Sequence, residues 1–146
     1  MRNLLFLICL STLCAGCGAD ATTCATGNWV LTGTTGTGNC AAAGTTFQTA
    51  ITVTDSGSGY NVQQVGDPNS TFSGTVRADG DRCILSGTFT TSGVGSSTDP
   101  NLAYNETDTI NVSEEGGSIS GSGSLTVAYA DNTTCSQVIT FTGLLQ

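Results

Sequence analysis

Polar and apolar positions alternate along almost the whole chain with a period of two. Trp29 and Leu31 share one parity; Phe47, Ile51 and Val53 share another, with Thr46, Gln48 and Thr52 on the opposite side. Tyr60 and Val62 follow, then Phe72, Gly74 and Val76 against Thr71, Ser73, Thr75 and Arg77. Cys83, Leu85 and Phe89 alternate with Ile84, Ser86, Thr88 and Thr90, and a sixth set holds Tyr104, Ile110 and Val112. In the seventh, Ile119, Leu125, Val127 and Tyr129 face away from Ser118, Ser120, Ser122, Ser124 and Thr126; the last groups Cys135, Ile139, Phe141 and Leu145. Successive strand side chains point to opposite faces, so this pattern predicts strands with one apolar face each, and no stretch carries the three-and-four spacing of a helix. Gly-rich turns punctuate it at residues 55–59, 79–80 and 114–117.

Eight strands, most joined to the next by a short turn, predict an all-β domain over residues 27–146, a small antiparallel up-and-down barrel. Eight strands suffice to close a sheet on itself and remove its edges. The alternative is a β-sandwich of immunoglobulin type, but its Cys–Trp–Cys spacing is missing, because Trp29 stands only five residues after Cys24. Gly27, Asn28 and Trp29 open the first strand with a Gly-x-Trp, which resembles the small calycin barrels of lipocalin and avidin type. That resemblance implies a barrel that holds a small ligand. The late Arg that packs on the Trp in lipocalins is not visible, and with a single Trp the chain lacks an avidin-type biotin cage.

The N-terminus has a different character. Met1, Arg2 and Asn3 precede the apolar run of residues 4–10, and small residues close the segment at Ala15 and Gly16. That is the order of a secretory signal, with an apolar run about half the roughly 20 residues a membrane span needs. Leu13, Cys14, Ala15, Gly16 and Cys17 resemble a bacterial lipobox, with Cys14 where Leu is usual. The resemblance implies cleavage after residue 16, acylation of Cys17 by chains such as palmitate, and a lipid-anchored protein of the cell envelope. Gly18 after the Cys implies the outer membrane. Residues 17–26 then serve as lipidated Cys and tether. Two or more acyl chains hold firmly where one holds marginally.

Of the seven cysteines, Cys9 and Cys14 leave with the signal and Cys17 takes the lipid, so Cys24, Cys40, Cys83 and Cys135 remain. An even set in an exported chain predicts two disulfides. The pairing expected is Cys24–Cys40, stapling the first strand and its loop, with Cys83–Cys135. The chain has no His to complete a zinc pattern, so neither a metal nor any other cofactor is expected.

Charge narrows the partners. With the signal removed, two arginines, Arg77 and Arg82, stand against eleven carboxylates, a side-chain charge of −9. Such a surface cannot neutralise phosphates, which argues against nucleic acid, and anionic headgroups repel it, leaving the lipid as the membrane attachment. Without His or Lys, the usual nucleophile–base pairs are closed, and no phosphate loop is present. An enzyme is therefore not expected; only carboxylate chemistry stays open.

Among the carboxylates, Glu106 and Asp108 are in phase with Tyr104, Ile110 and Val112. Strict alternation points both inward, about 6.6 Å apart along one strand face. The plainer alternative starts the regular strand near Thr107 and leaves both acids in water at the barrel mouth. Asp79, Gly80 and Asp81, like Asp55, Ser56 and Gly57, read as turns rather than calcium loops. Trp29, Tyr60, Tyr104, Glu106 and Asp108 are the candidate ligand-binding residues, with Gln64 and the gaps at Gly121 and Gly123 as further sources of interior space. Two functions follow: a lipid-tethered barrel carrying a small apolar or amphiphilic molecule, or a module acting through its outer surface and the long loop of residues 91–103, as adhesin, inhibitor or assembly factor.

Overall fold

The computed structural model describes residues 23–95 and 99–146; the expected signal segment, residues 1–16, and Cys17 lie outside them. The described residues form eight antiparallel strands and no helix. They are β1 (Gly27–Gly38), β2 (Thr46–Asp55), β3 (Tyr60–Gln64), β4 (Thr71–Asp79), β5 (Arg82–Val94), β6 (Ala103–Glu115), β7 (Ser118–Tyr129) and β8 (Thr134–Leu145). They make one sheet in the order β3-β2-β1-β8-β7-β6-β5-β4. The meander curls into a nearly closed barrel: β1 hydrogen-bonds to both β2 and β8, and the one seam without a hydrogen-bonded ladder falls between β3 and β4. At that seam Tyr60 and Val62 from one side, and Val76 and Ala78 from the other, pack against the same core.

Parity decides which side chains fill the interior. Trp29, Leu31, Val53, Leu85 and Val112 lose virtually all solvent contact, and Ile119 is buried beside them. These residues occupy the half of the barrel where β1 begins and β8 ends, termed here the lower half. Each such side chain contributes about 1.5–3 kcal/mol relative to exposure. Outward positions are Thr and Ser in register across many strands: Thr34, Thr140, Ser122, Asn111 and Ser86 form one continuous row. An apolar interior inside a hydroxyl-bearing wall is the inverse of an outer-membrane barrel, whose outward face is an apolar band.

Gly121 and Gly123 sit where no side chain fits. A Cβ at Gly121 would collide with the Asn111 carbonyl oxygen, and one at Gly123 with the Thr109 carbonyl oxygen. They supply no empty space for a ligand; they let neighbouring backbones approach closely.

The disulfides differ from the expected pairing. Cys24 is bonded to Cys83 and Cys40 to Cys135, with Cα–Cα separations of 5.2 and 5.1 Å. Cys24 and Cys40 flank opposite ends of the twelve-residue β1, about 40 Å apart at 3.3 Å per residue, far beyond disulfide reach. Each bridge instead joins residues at one end of the barrel: Cys24 to the start of β5 below, Cys40 to the start of β8 above.

The long loop expected at residues 91–103 is also shorter. β5 runs to Val94 and β6 begins at Ala103, with Ser92, Gly93 and Val94 in register with Asn105, Tyr104 and Ala103. Gly93 concealed the alternation there, since it has no side chain to register on either face.

Candidate functional site

The upper half of the barrel is hollow. A cavity of about 320 Å³ lies there, walled by Phe89, Ile110, Leu125, Ile139 and Phe141, with Gln64, Glu106 and Asp108 among its polar groups. Phe47, 38 % exposed, and Gln48 stand where it reaches the surface. The volume equals that of roughly ten water molecules at about 30 Å³ each, at the lower end of the range for small-molecule sites.

Regular strand structure carries both acids into this space. β6 begins at Ala103, four residues ahead of Thr107, so Glu106 and Asp108 obey the alternation set by Ile110 and Val112. Asp108 is in register with Phe89 on β5 and Leu125 on β7; Glu106 is in register with Thr91 and Val127. Asp108 is thus flanked by two apolar side chains that strip water from it. Burial first, then the charge of Glu106 and a hydrogen bond to it, push the Asp108 carboxyl up to about 7.

The chain crosses the β3–β4 seam through residues 65–70, and Asp67 fastens this connection to β5. Its Oδ2 accepts a hydrogen bond from Thr91 Oγ1 at 3.1 Å, and its Oδ1 accepts from the Asn69 amide at 3.0 Å. On the far side of the barrel, Gln137 and Thr35 plug the upper end beneath residues 39–45. Gln137 Oε1 accepts from the Ala41 amide at 3.1 Å, and Nε2 donates to the Gly36 carbonyl at 2.8 Å. Thr35 Oγ1 donates to the Ala42 carbonyl at 2.6 Å.

Of the candidate residues, the structure brings Glu106 and Asp108 together in the cavity and leaves the other three elsewhere. Trp29 is wholly buried in the lower core, and its indole Nε1 has no hydrogen-bond partner. Tyr60 is at the lower end, where its hydroxyl oxygen accepts from the Cys24 amide at 2.6 Å. Tyr104 lies over Gly93 and meets Tyr129 with ring centroids 6.2 Å apart. Asp55 caps its own turn by accepting from the Gly57 amide at 2.6 Å, and Asp79 pairs with Arg77 at 3.5 Å. Among the described residues no group of three or more His, Cys, Asp or Glu is placed to hold a metal.

Sequence reasoning did not pick out Gln137 or the cavity wall of Phe89 and Ile139. Gln137 carried a usable signal: it shares parity with Cys135, Ile139 and Phe141, and an amide on an apolar face needs buried partners.

Fold and site together define a nearly closed, eight-stranded β-barrel with a filled lower half and a hollow, carboxylate-bearing upper half. No protein-family model, curated protein or solved structure matches the chain.

Proposed function

We propose that this chain is an exported, lipid-anchored, non-catalytic binding protein of the bacterial envelope that carries a small amphiphilic molecule in its upper cavity. The observation that carries the reading is the contrast between the two halves of one barrel. The lower half packs Trp29, Leu31 and Leu85 without exposure, whereas the upper half keeps about 320 Å³ open between aromatic and aliphatic walls. An apolar cavity with a few convergent polar groups is the usual form of a small-molecule site. The lipobox-like segment ending at Cys17 supports the anchor, and two disulfides suit an oxidising compartment. Because the chain enters at the lower end, a membrane anchor at Cys17 leaves the cavity at the end away from the tether.

Native mass spectrometry of the full chain, exported by and purified from its own host, tests this directly. We expect a mature mass that includes Cys17 acylation, plus an added mass that denaturation removes. A chain without added mass, unperturbed by a panel of small amphiphiles, would shift the assignment to a module acting through its Thr/Ser-rich outer wall.

A further inference from the structure

We infer that the cavity selects amphiphiles with a cationic amine on an aromatic or aliphatic body; this rests on the binding reading above and specifies its ligand. Three features of the molecule support it.

The first is the distribution of charge. The chain has only three basic residues, Arg2, Arg77 and Arg82. Arg77 and Arg82 are on strand ends at the lower rim, pair with Asp79 and Glu115, and remain well exposed. No cationic side chain of the described residues therefore faces the cavity, whose ionisable groups are Glu106 and Asp108. An anionic ligand such as a fatty acid would bring its carboxylate against two carboxyl groups with nothing to neutralise it. Buried charges need partners, so this arrangement rejects anions.

The second is the placement of the acids inside the apolar wall. Phe89, Leu125 and Ile110 surround them on three strands, so a cation reaching them leaves water for a desolvated carboxyl pair while its body contacts the rings of Phe89 and Phe141. A charge-assisted hydrogen bond is stronger than a neutral one, and an ammonium group has three donors for these acceptors. Gln64 adds an amide that accepts as well as donates.

The third is the coupling to protons. The pair holds a proton near neutrality, with Asp108 pushed up to about 7. An ammonium that displaces this proton converts the pair into its counter-ion. Amine binding is accordingly expected to release a proton and to strengthen as pH rises through about 7, whereas a neutral analogue binds independently of pH. The groups facing the pair from the flanking strands are Phe89, Thr91, Leu125 and Val127, none of which titrates; Asp67 approaches through Thr91.

The test uses three probes with the same ring system: naphthylethylamine, naphthylethanol and naphthylacetate, titrated calorimetrically into the oxidised protein. The expected order is amine first, alcohol next and carboxylate last, with the amine favoured about ten-fold or more over the alcohol at pH 8, or 1.4 kcal/mol. Between pH 5.5 and 8 the amine affinity rises while the alcohol affinity stays flat, and buffers of different ionisation enthalpy show proton release with the amine alone. The double variant Glu106→Gln, Asp108→Asn loses the preference for amine over alcohol and the rise of amine affinity with pH; if that variant does not fold, the wild-type pH series separates the same alternatives. Alcohol binding equal to or tighter than amine binding overturns the amine assignment and leaves the binding reading intact. Absence of binding by all three overturns both.

Discussion

Asp108 and Glu106 stand two residues apart on the inward face of β6, so the charge of Glu106 adds to burial in opposing ionisation of Asp108. The pair ties the acid–base behaviour of the whole barrel to its interior. The folded carboxyl of Asp108 lies at about 7, above its ordinary 3.8. Below about pH 4 both folded and unfolded chains carry the proton. Between about 4 and 7 the folded chain keeps it and the unfolded chain has lost it, so unfolding releases a proton and stability falls as pH rises. We expect a loss on the order of 2 kcal/mol between pH 4.5 and pH 8, after allowing for solvent screening of a partly exposed pair. Urea unfolding followed by the emission of Trp29, the only tryptophan, reads it out. Asp108→Asn should flatten the trend and leave the pH 8 protein more stable than wild type; an unchanged slope in that variant would sink the account.

The two disulfides make a prediction about connectivity. Non-reducing peptide mapping should recover Cys24 linked to Cys83 and Cys40 linked to Cys135. The bridges span 59 and 95 residues, and loops of that size give about 4–5 kcal/mol each in the chain-entropy description. Replacing Cys24 and Cys83 together by Ala should lower stability by about 2–4 kcal/mol. A peptide containing Cys24 linked to Cys40 would contradict the strand directions described above.

Glycine and aromatic residues meet across strands. Gly33 is in register with Phe47, whose ring occupies the space a Cβ at Gly33 would need, and Gly93 is related to Tyr104 in the same way. In Gly33→Ala the added methyl displaces the Phe47 ring at the cavity rim. We expect a loss of about 1–3 kcal/mol, typical of overpacking, together with altered probe binding, since Phe47 borders the cavity. Gly44, around which a Cβ meets nothing within 4 Å, has φ +83 and provides a contrast in which strain is conformational rather than steric.

Gln137 is 2 % exposed, and each end of its amide has a backbone partner. Gln137→Ala removes a buried side chain and leaves the Ala41 N–H and the Gly36 carbonyl without it. A cost of about 1–3 kcal/mol is expected, because two hydrogen bonds are lost at about 1 kcal/mol each and a small cavity adds to that, while water can reach the exposed Ala41 N–H. Hydrogen exchange should locate the effect at residues 36–45, with the lower half protected as before. Global loss of protection without local exchange at residues 36–45 would refute the clamp.

Much of the architecture is legible in the chain because strand parity is a local property. Whether a residue faces inward depends on its odd or even place in a strand, and Trp29, Ile51, Leu85 and Ile139 declare that without reference to anything distant. The same parity carried Glu106 and Asp108 inward, and the count of eight alternating segments matched the eight strands found. What parity cannot express is distance between segments. The disulfide partners depend on which end of the barrel each cysteine reaches, and that follows from strand direction and length together. The open seam between β3 and β4 depends on how the two ends of the meander meet, which no single strand expresses. The division into a filled lower half and a hollow upper half depends on volume: Trp29 and its neighbours fill one end, while Phe89, Ile139 and Phe141 line the cavity at the other. Side-chain direction is determined within a strand, but the sum of side-chain volumes against the barrel interior exists only once all eight strands are in place.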